Sequence, residues 1–436
     1  MVANLYAHRM DTYLERVIDG ELATLISGLP AVAIQGPKGV GKTASAGRLA
    51  ASVLELDRPG QLATLRGDRS IIDRLDPPVL IDEWQLDPPV WDAVRRSVDA
   101  DRSAGRFLLT GSANPRDARI HSGAGRIVNV RMRPLSFAER QLERPTVSLA
   151  ALARGDPAVI AGHTSITLAD YTREILASGF PGIRTGDATF RRRELASYLD
   201  HALADEVPAL GNIVRRPQSL RAWLQAYAAA VSTTASYEAI ADAVSPTSRP
   251  ARDTVIDYRD ALTGLWLLDP VPAWTRRGAG IERLGRAPKH QLADPALAAR
   301  LLGATEQTLL GSDTDADRRP EYQRFRDGPL LGSLYESLVV LTVRVFAQPL
   351  ELEVSHLRTH RGEHEVDLIL TSDDGDVIAI EVKLAEAINE RDARHLNWLQ
   401  TKLGDRLIER VIVTTGPYAY RREDGIAVVP LALLGP

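Results

Sequence analysis

The order of apolar runs and helical patterns predicts a multidomain α/β protein. In the first third of the chain, short apolar runs alternate with amphipathic stretches, the mark of a doubly wound parallel sheet. The C-terminal quarter mixes strand-like and helix-like segments in a different order, and at 436 residues the chain exceeds one ordinary core. The expected divisions are the parallel-sheet domain at 1–148, a helical domain at 149–228, a winged-helix element at 229–275, a connector at 276–331 and an α/β domain at 332–436.

In the first block, 32–35, 79–82 and 107–110 read as buried strands, with helices at 44–53 and 90–98 and a closing segment at 131–139. Parallel strands of this kind place ligands at their C-terminal ends. The middle is helical, at 167–178 and along an amphipathic stretch from 189 to 230. Segments 237–244 and 251–262 then form a helix–turn–helix, followed by a strand-like 266–274, the order of a winged helix. Residues 273–328 are rich in Gly, Pro, Arg and Asp, with one helix at 294–302. The last block runs helix 334–346, strands 365–371 and 377–383, helix 390–403 and strand 407–414.

Composition narrows the function classes. Without cysteine there is no disulfide, no thiolate zinc site and no cysteine nucleophile. No apolar run in the sequence approaches the roughly 20 residues of a membrane span, so a cytoplasmic protein is expected. A formal charge of −4 argues against a general polyanion binder. Only five of the 53 basic residues are lysine, so each position that keeps an ammonium is informative.

Gly36, Pro37, Lys38, Gly39, Val40, Gly41, Lys42 and Thr43 match the phosphate-loop pattern G-x-x-x-x-G-K-[ST], between a strand and a helix. The glycines let backbone N–H groups wrap a β-phosphate, Lys42 reaches the β- and γ-phosphates, and Thr43 ligates Mg²⁺. VLIDE, at 79–83, supplies a carboxylate for the magnesium shell in Asp82 and a base for the lytic water in Glu83. Thr110, at the end of the neighbouring run, is expected to orient that water. Arg126 and Arg133 are candidates for a charge-stabilising arginine finger.

IDEWQ, GRFLLTGSAN, GAGRI and RMRPLSFAE, with SGFPG and KHQLADPALAARLL further on, resemble the archaeal-type branch of AAA-superfamily ATPases. That branch carries a C-terminal domain of unknown function. The resemblance implies ATP binding and hydrolysis, a winged-helix element and a nuclease-like tail.

A second constellation lies in EVDLIL and IAIEVKL, with the spacing D-x13-E-x-K. Antiparallel strands would bring Asp367 and Glu381 together, and the two-residue period puts Glu381 and Lys383 on one face. Such carboxylates can hold Mg²⁺ or Mn²⁺, the amine can stabilise developing charge, and Glu336 could add a ligand from the preceding helix. The pattern resembles the restriction-endonuclease-like (PD-(D/E)XK) nuclease family, with Val366 where the family name has proline. The expected function is Mg²⁺-dependent ATP hydrolysis coupled to action on DNA by a nuclease-fold domain, with possible homo-oligomer formation. The alternative is an ATP-operated switch whose C-terminal domain is a catalytically silent interaction module.

Overall fold

The computed structural model describes residues 13–112, 124–155, 159–209, 217–244, 249–275, 287–311, 328–359 and 362–436. Its N-terminal unit is a five-stranded parallel sheet of β1 (Ala31–Gln35), β2 (Ser52–Glu55), β3 (Val79–Asp82), β4 (Phe107–Gly111) and β5 (Val128–Arg131). The spatial order is β2-β3-β4-β1-β5. AVAIQ, VLID and FLLTG are almost wholly buried, because strands covered on both faces read as continuous apolar runs. Register sets Gln35 beside Gly111, and Asp82 beside Thr110, so the loops leaving three strands open on one edge.

Helix α1 (Val17–Gly28) precedes β1, and α2 (Lys42–Gly47) follows its loop. The helix expected at 44–53 is shorter than its pattern. Leu54 buries itself in β2, which pairs along β3 from Ser52 opposite Val79 to Glu55 opposite Asp82. Helices α3 (Pro59–Gly67) and α4 (Pro89–Ala100) cover one sheet face.

The middle region holds α5 (Leu168–Ala177), capped by Thr167 and Asp170, α6 (Ala188–His201), capped by Asp187, and α7 (Pro217–Ala229). In the described part of the stretch from 189 to 230, α6 runs on through a π-helical turn at Ala202–Glu206 and a short helix at Val207–Ala209, and α7 follows. Helices α8 (Tyr237–Asp242) and α9 (Arg252–Gly264) lead into a ribbon, in which Leu268 pairs with Leu292 and Val271 with Lys289, antiparallel. Ala273 then bridges to His356 of the C-terminal sheet. The described part of the expected connector is not a surface linker between 287 and 302. Lys289 through Ala299 are buried, and α10 (Pro295–Leu301) sits in the main core, because its alanines and leucines allow close approach on every side.

The C-terminal unit is a seven-stranded mixed sheet in the order β7-β12-β13-β11-β10-β9-β8. Its strands are β8 (Glu353–Arg358), β9 (Glu365–Thr371), β10 (Val377–Lys383), β11 (Leu407–Thr414), β12 (Tyr418–Arg421) and β13 (Ala427–Pro430), with the two-residue β7 (Gly162–His163) at its edge. One face packs on α11 (Gly328–Ala347) and the other on α12 (Glu390–Leu403). Two further two-residue strands, β6 (Val147–Ser148) and β14 (Leu434–Gly435), pair in parallel. Helix α11 lies in a segment, Gly328–Leu350, long and apolar enough to cross a membrane by length and composition. However, 72% of its most apolar window is buried inside the protein, which makes it a core helix here. A single apolar core joins the β1–β5 sheet, α5, α7, α10, α11 and the C-terminal sheet.

Candidate nucleotide site and carboxylate cluster

The loop from Gly36 to Lys42 turns on glycines whose lack of a side chain the geometry requires. A Cβ on Gly36 would stand 2.2 Å from the Met132 carbonyl oxygen, and Gly41 caps α2 at φ 107°. Lys42 is buried, and its Nζ donates to the carbonyls of Gly36 and Pro37, each at 2.9 Å. Burial lowers its pKa to about 8, against the opposing pull of Glu83 and Asp82. Lys38 is exposed and lies 3.4 Å from Glu206.

The Thr43 hydroxyl donates to Asp82 Oδ1 at 2.8 Å, and the Thr110 hydroxyl donates to the same oxygen. Thr110 thus braces Asp82, and it is Ser112 and Gln85 that hydrogen-bond the Glu83 carboxylate. An adjacent hydroxyl and carboxylate at a phosphate loop fit the oxygen-rich shell of Mg²⁺. Glu83 sits at φ 55°, ψ 45°, a left-handed conformation uncommon outside glycine. Beside it, a Cβ on Gly111 would stand 2.6 Å from Trp84 Nε1, so the tight packing extends to the end of β4.

A buried brace supports the loop from behind. Arg16 donates to the Val40 carbonyl at 2.9 Å and the Arg133 carbonyl at 2.6 Å, and its Nε meets Glu139 at 3.1 Å. Glu139 also accepts from the backbone of Val17 and Ser136.

Neither candidate arginine finger reaches this site within the chain. Arg126 precedes β5, at the sheet end opposite the loop, and pairs with Asp99 of α4 at 2.7 Å. Arg133 pairs with the buried Asp269 at 2.8 Å. Arg131 and Arg344 converge on the same carboxylate, at 2.8 and 2.7 Å. Burial alone would raise the pKa of Asp269, but the three guanidiniums outweigh it and hold the group ionised. Arg131 also lies over the ring of Trp266, 4.9 Å from its centroid.

At the second constellation, β9 and β10 pair antiparallel as expected, and Asp367 Oδ2 accepts from the Val382 N–H at 2.9 Å. Lys383 Nζ lies 2.7 Å from Glu381 Oε1 on the same strand. Lys289, which comes from the ribbon, reaches Asp367 from the other side. Its Nζ donates to Asp367 Oδ1 and Glu336 Oε1, each at 2.9 Å, and lies 3.4 Å from Glu365. Burial would lower the pKa of Lys289, but these carboxylates outweigh it and keep the ammonium charged. Burial, then Asp367, push both Glu336 and Glu381 up to about 8. Glu381 Oε2 is buried without a hydrogen-bond partner.

The three residues expected to ligate a metal, Asp367, Glu381 and Glu336, lie in one cluster, in which Lys289 bonds Asp367 and Glu336 while Glu381 pairs with Lys383. Among the described residues no group of three or more His, Asp or Glu side chains is arranged to hold a metal. Lys289, Arg16, Glu139 and Asp269 escaped sequence reasoning, since their partners lie far away along the chain. One signal for Lys289 was present, namely that it is one of five lysines in an arginine-rich sequence.

The five-stranded parallel sheet and its phosphate-loop edge define a P-loop α/β domain within a multidomain α/β protein. Residues 29–141 match the model of an AAA domain, in agreement with an ATPase-like nucleotide-binding function. Residues 168–308 match a domain of unknown function (DUF8612), and 331–434 match another (DUF4143). No curated protein matches the chain.

Proposed function

We propose that the protein is an ATP-operated switch whose C-terminal α/β domain is a catalytically silent interaction module. The carrying observation is the Lys289 ammonium, 2.9 Å from both Asp367 and Glu336, which supplies the cluster's counter-charge from within the chain. Mg²⁺, held by Thr43 and Asp82, would neutralise phosphate charge. The chain's own groups do the rest. Lys42 turns from the Gly36 and Pro37 carbonyls to the phosphates, the α2 N-terminus presents its N–H groups, and Glu83 orients the attacking water. Thr110 and Thr43 fix Asp82, while Arg16 and Glu139 hold the loop backbone.

A Lys42→Ala variant should lose ATP turnover in a phosphate-release assay, and normal turnover would sink the nucleotide-site assignment. The rival reading, a metal-dependent nuclease, draws on Glu381 and Lys383 sharing one face of β10 and on the orphaned Glu381 oxygen. Incubation of the full chain with single-stranded, duplex and branched DNA, with Mg²⁺ or Mn²⁺ and with or without ATP, separates the two. Divalent-dependent cleavage that disappears in Glu381→Ala would overturn the silent-module reading.

The α8–α9 pair and its ribbon follow the order of a winged helix, and Arg249, Arg252 and Arg259 lie along it. Arg249 meets Asp242 at 2.6 Å, while Arg259 meets Asp260 at 3.1 Å and also lies over Tyr237. Two of the three positive charges are already matched, which favours packing or a protein partner over DNA contact.

A further inference from the structure

We infer that the ribbon of 267–273 and 287–293 is the coupling element between the phosphate loop and the Lys289-bonded carboxylate cluster. The inference rests on the nucleotide-switch reading and names how the switch is transmitted. The ribbon is anchored at both ends by buried charge.

On the ATPase side, Gly36 has no room for even a methyl group against the Met132 carbonyl, and the Met132 N–H donates to Gln35 O at 2.7 Å. Rearrangement of the loop around a phosphate therefore presses on 131–133. That tripeptide carries Arg131 and Arg133, both fixed to Asp269 of the ribbon. From Asp269 the path runs through backbone pairing. The Asp269 N–H donates to Gln291 O, and Val271 and Lys289 exchange N–H···O bonds, each at 2.9 Å. The far strand of the ribbon delivers Lys289 Nζ to Asp367 and Glu336.

Met132, Asp269, Lys289 and Asp367 are buried and Arg131, Arg133 and Glu336 half-buried, so close packing along the path passes displacement on rather than releasing it to solvent. Buried ion pairs are also stiff registers, because separating a partner leaves an uncompensated charge. Arg344 of α11, bonded to Asp269 and to the carbonyls of Asp269 and Pro270, gives the same node a direct hold on a core helix of the C-terminal unit. Linkage requires the effect to run both ways, so the state of the cluster must also bias nucleotide affinity.

Hydrogen exchange of the full chain, with and without Mg²⁺ and a non-hydrolysable ATP analogue, tests the proposal. The reporters are the ribbon amides of Asp269, Val271, Lys289 and Ala293, read against Ile412 and Val428, which lie in the C-terminal sheet but outside the ribbon. Nucleotide should protect 36–43 and change ribbon exchange, relative to the reference amides, by about fivefold or more. Protection of 36–43 with the ribbon ratio unchanged overturns the coupling while leaving the nucleotide site intact. Absence of protection at 36–43 overturns both. An Asp269→Asn variant should keep loop protection and lose the ribbon response. If it retains the full response, the Asp269 node is not the route. Where that variant fails to fold, the wild-type comparison decides alone.

Discussion

Glu83 and Lys42 show how a single side chain can be held away from its resting preference. Left-handed backbone outside glycine costs of order 1–3 kcal/mol and persists where surrounding structure over-determines it, commonly at functional sites. Here β3, the Trp84–Trp91 pair and Ser112 hold Glu83 at φ 55° at the mouth of the loop. A Glu83→Gln variant keeps the shape and removes the base, so nucleotide affinity should stay near wild type. Turnover should fall by about a hundredfold or more, and unaltered turnover in a steady-state assay would exclude Glu83 as the base. Gly36→Ala should abolish nucleotide binding in a titration, since its methyl group would overlap the Met132 carbonyl. Arg126→Ala should leave both turnover and melting temperature unchanged, because its partner Asp99 lies at the far end of the sheet. A large loss of turnover in that variant would mean that Arg126 acts in another copy of the chain.

The ribbon is the element whose behaviour the sequence conceals. Its two strands are separated by 274–286, and each carries isolated bridges rather than an extended ladder, so neither shows a strand's alternation for long. By contrast 365–371, 377–383 and 407–414 were legible to the residue because strands covered on both faces read as short apolar runs, and 390–403 because it buries one face at helical period. The phosphate loop was legible because its chemistry is local. Lys289 was not, because its partners Asp367 and Glu336 stand 78 and 47 residues away. Strand β8, which bridges to the ribbon at Ala273, carries a pH liability. His356, whose N–H donates to Pro272 O and whose ring meets Ala287 O, has its pKa pressed down to about 4 by burial and then by Lys289. The unfolded chain takes up that proton first, so the contribution of His356 to stability is present above about 6.5 and declines as pH falls toward 4. Urea midpoints measured across this range should fall with acid, and His356→Gln should flatten the slope. An identical slope in both proteins would remove His356 from the account.

Across the whole molecule, the β1–β5 sheet is sided. Ala31, Ala33, Val79, Ile81, Phe107 and Leu109 pack with α3 and α4, all within the first 112 residues. Val32, Ile34, Leu80, Leu108 and Val130 face the opposite way, toward Leu22, Ile26 and Ala46 of α1 and α2, in a core that continues through Phe137, Tyr171, Leu334 and Leu338. Burial of each such aliphatic side chain contributes about 1.5–3 kcal/mol, and the core that α1 shares with α11 is completed only by residues far downstream. A fragment of residues 13–148 should therefore aggregate or expose dye-binding apolar surface, while the full chain remains monodisperse in light scattering. A soluble, cooperatively melting fragment would contradict the shared core. During synthesis the same sidedness imposes a waiting time. The side of α1 that packs on α11 emerges from the ribosome uncovered and stays so until α11 has been translated, which makes the nascent ATPase domain a natural client for holding chaperones and a poor candidate for transfer alone by gene fusion.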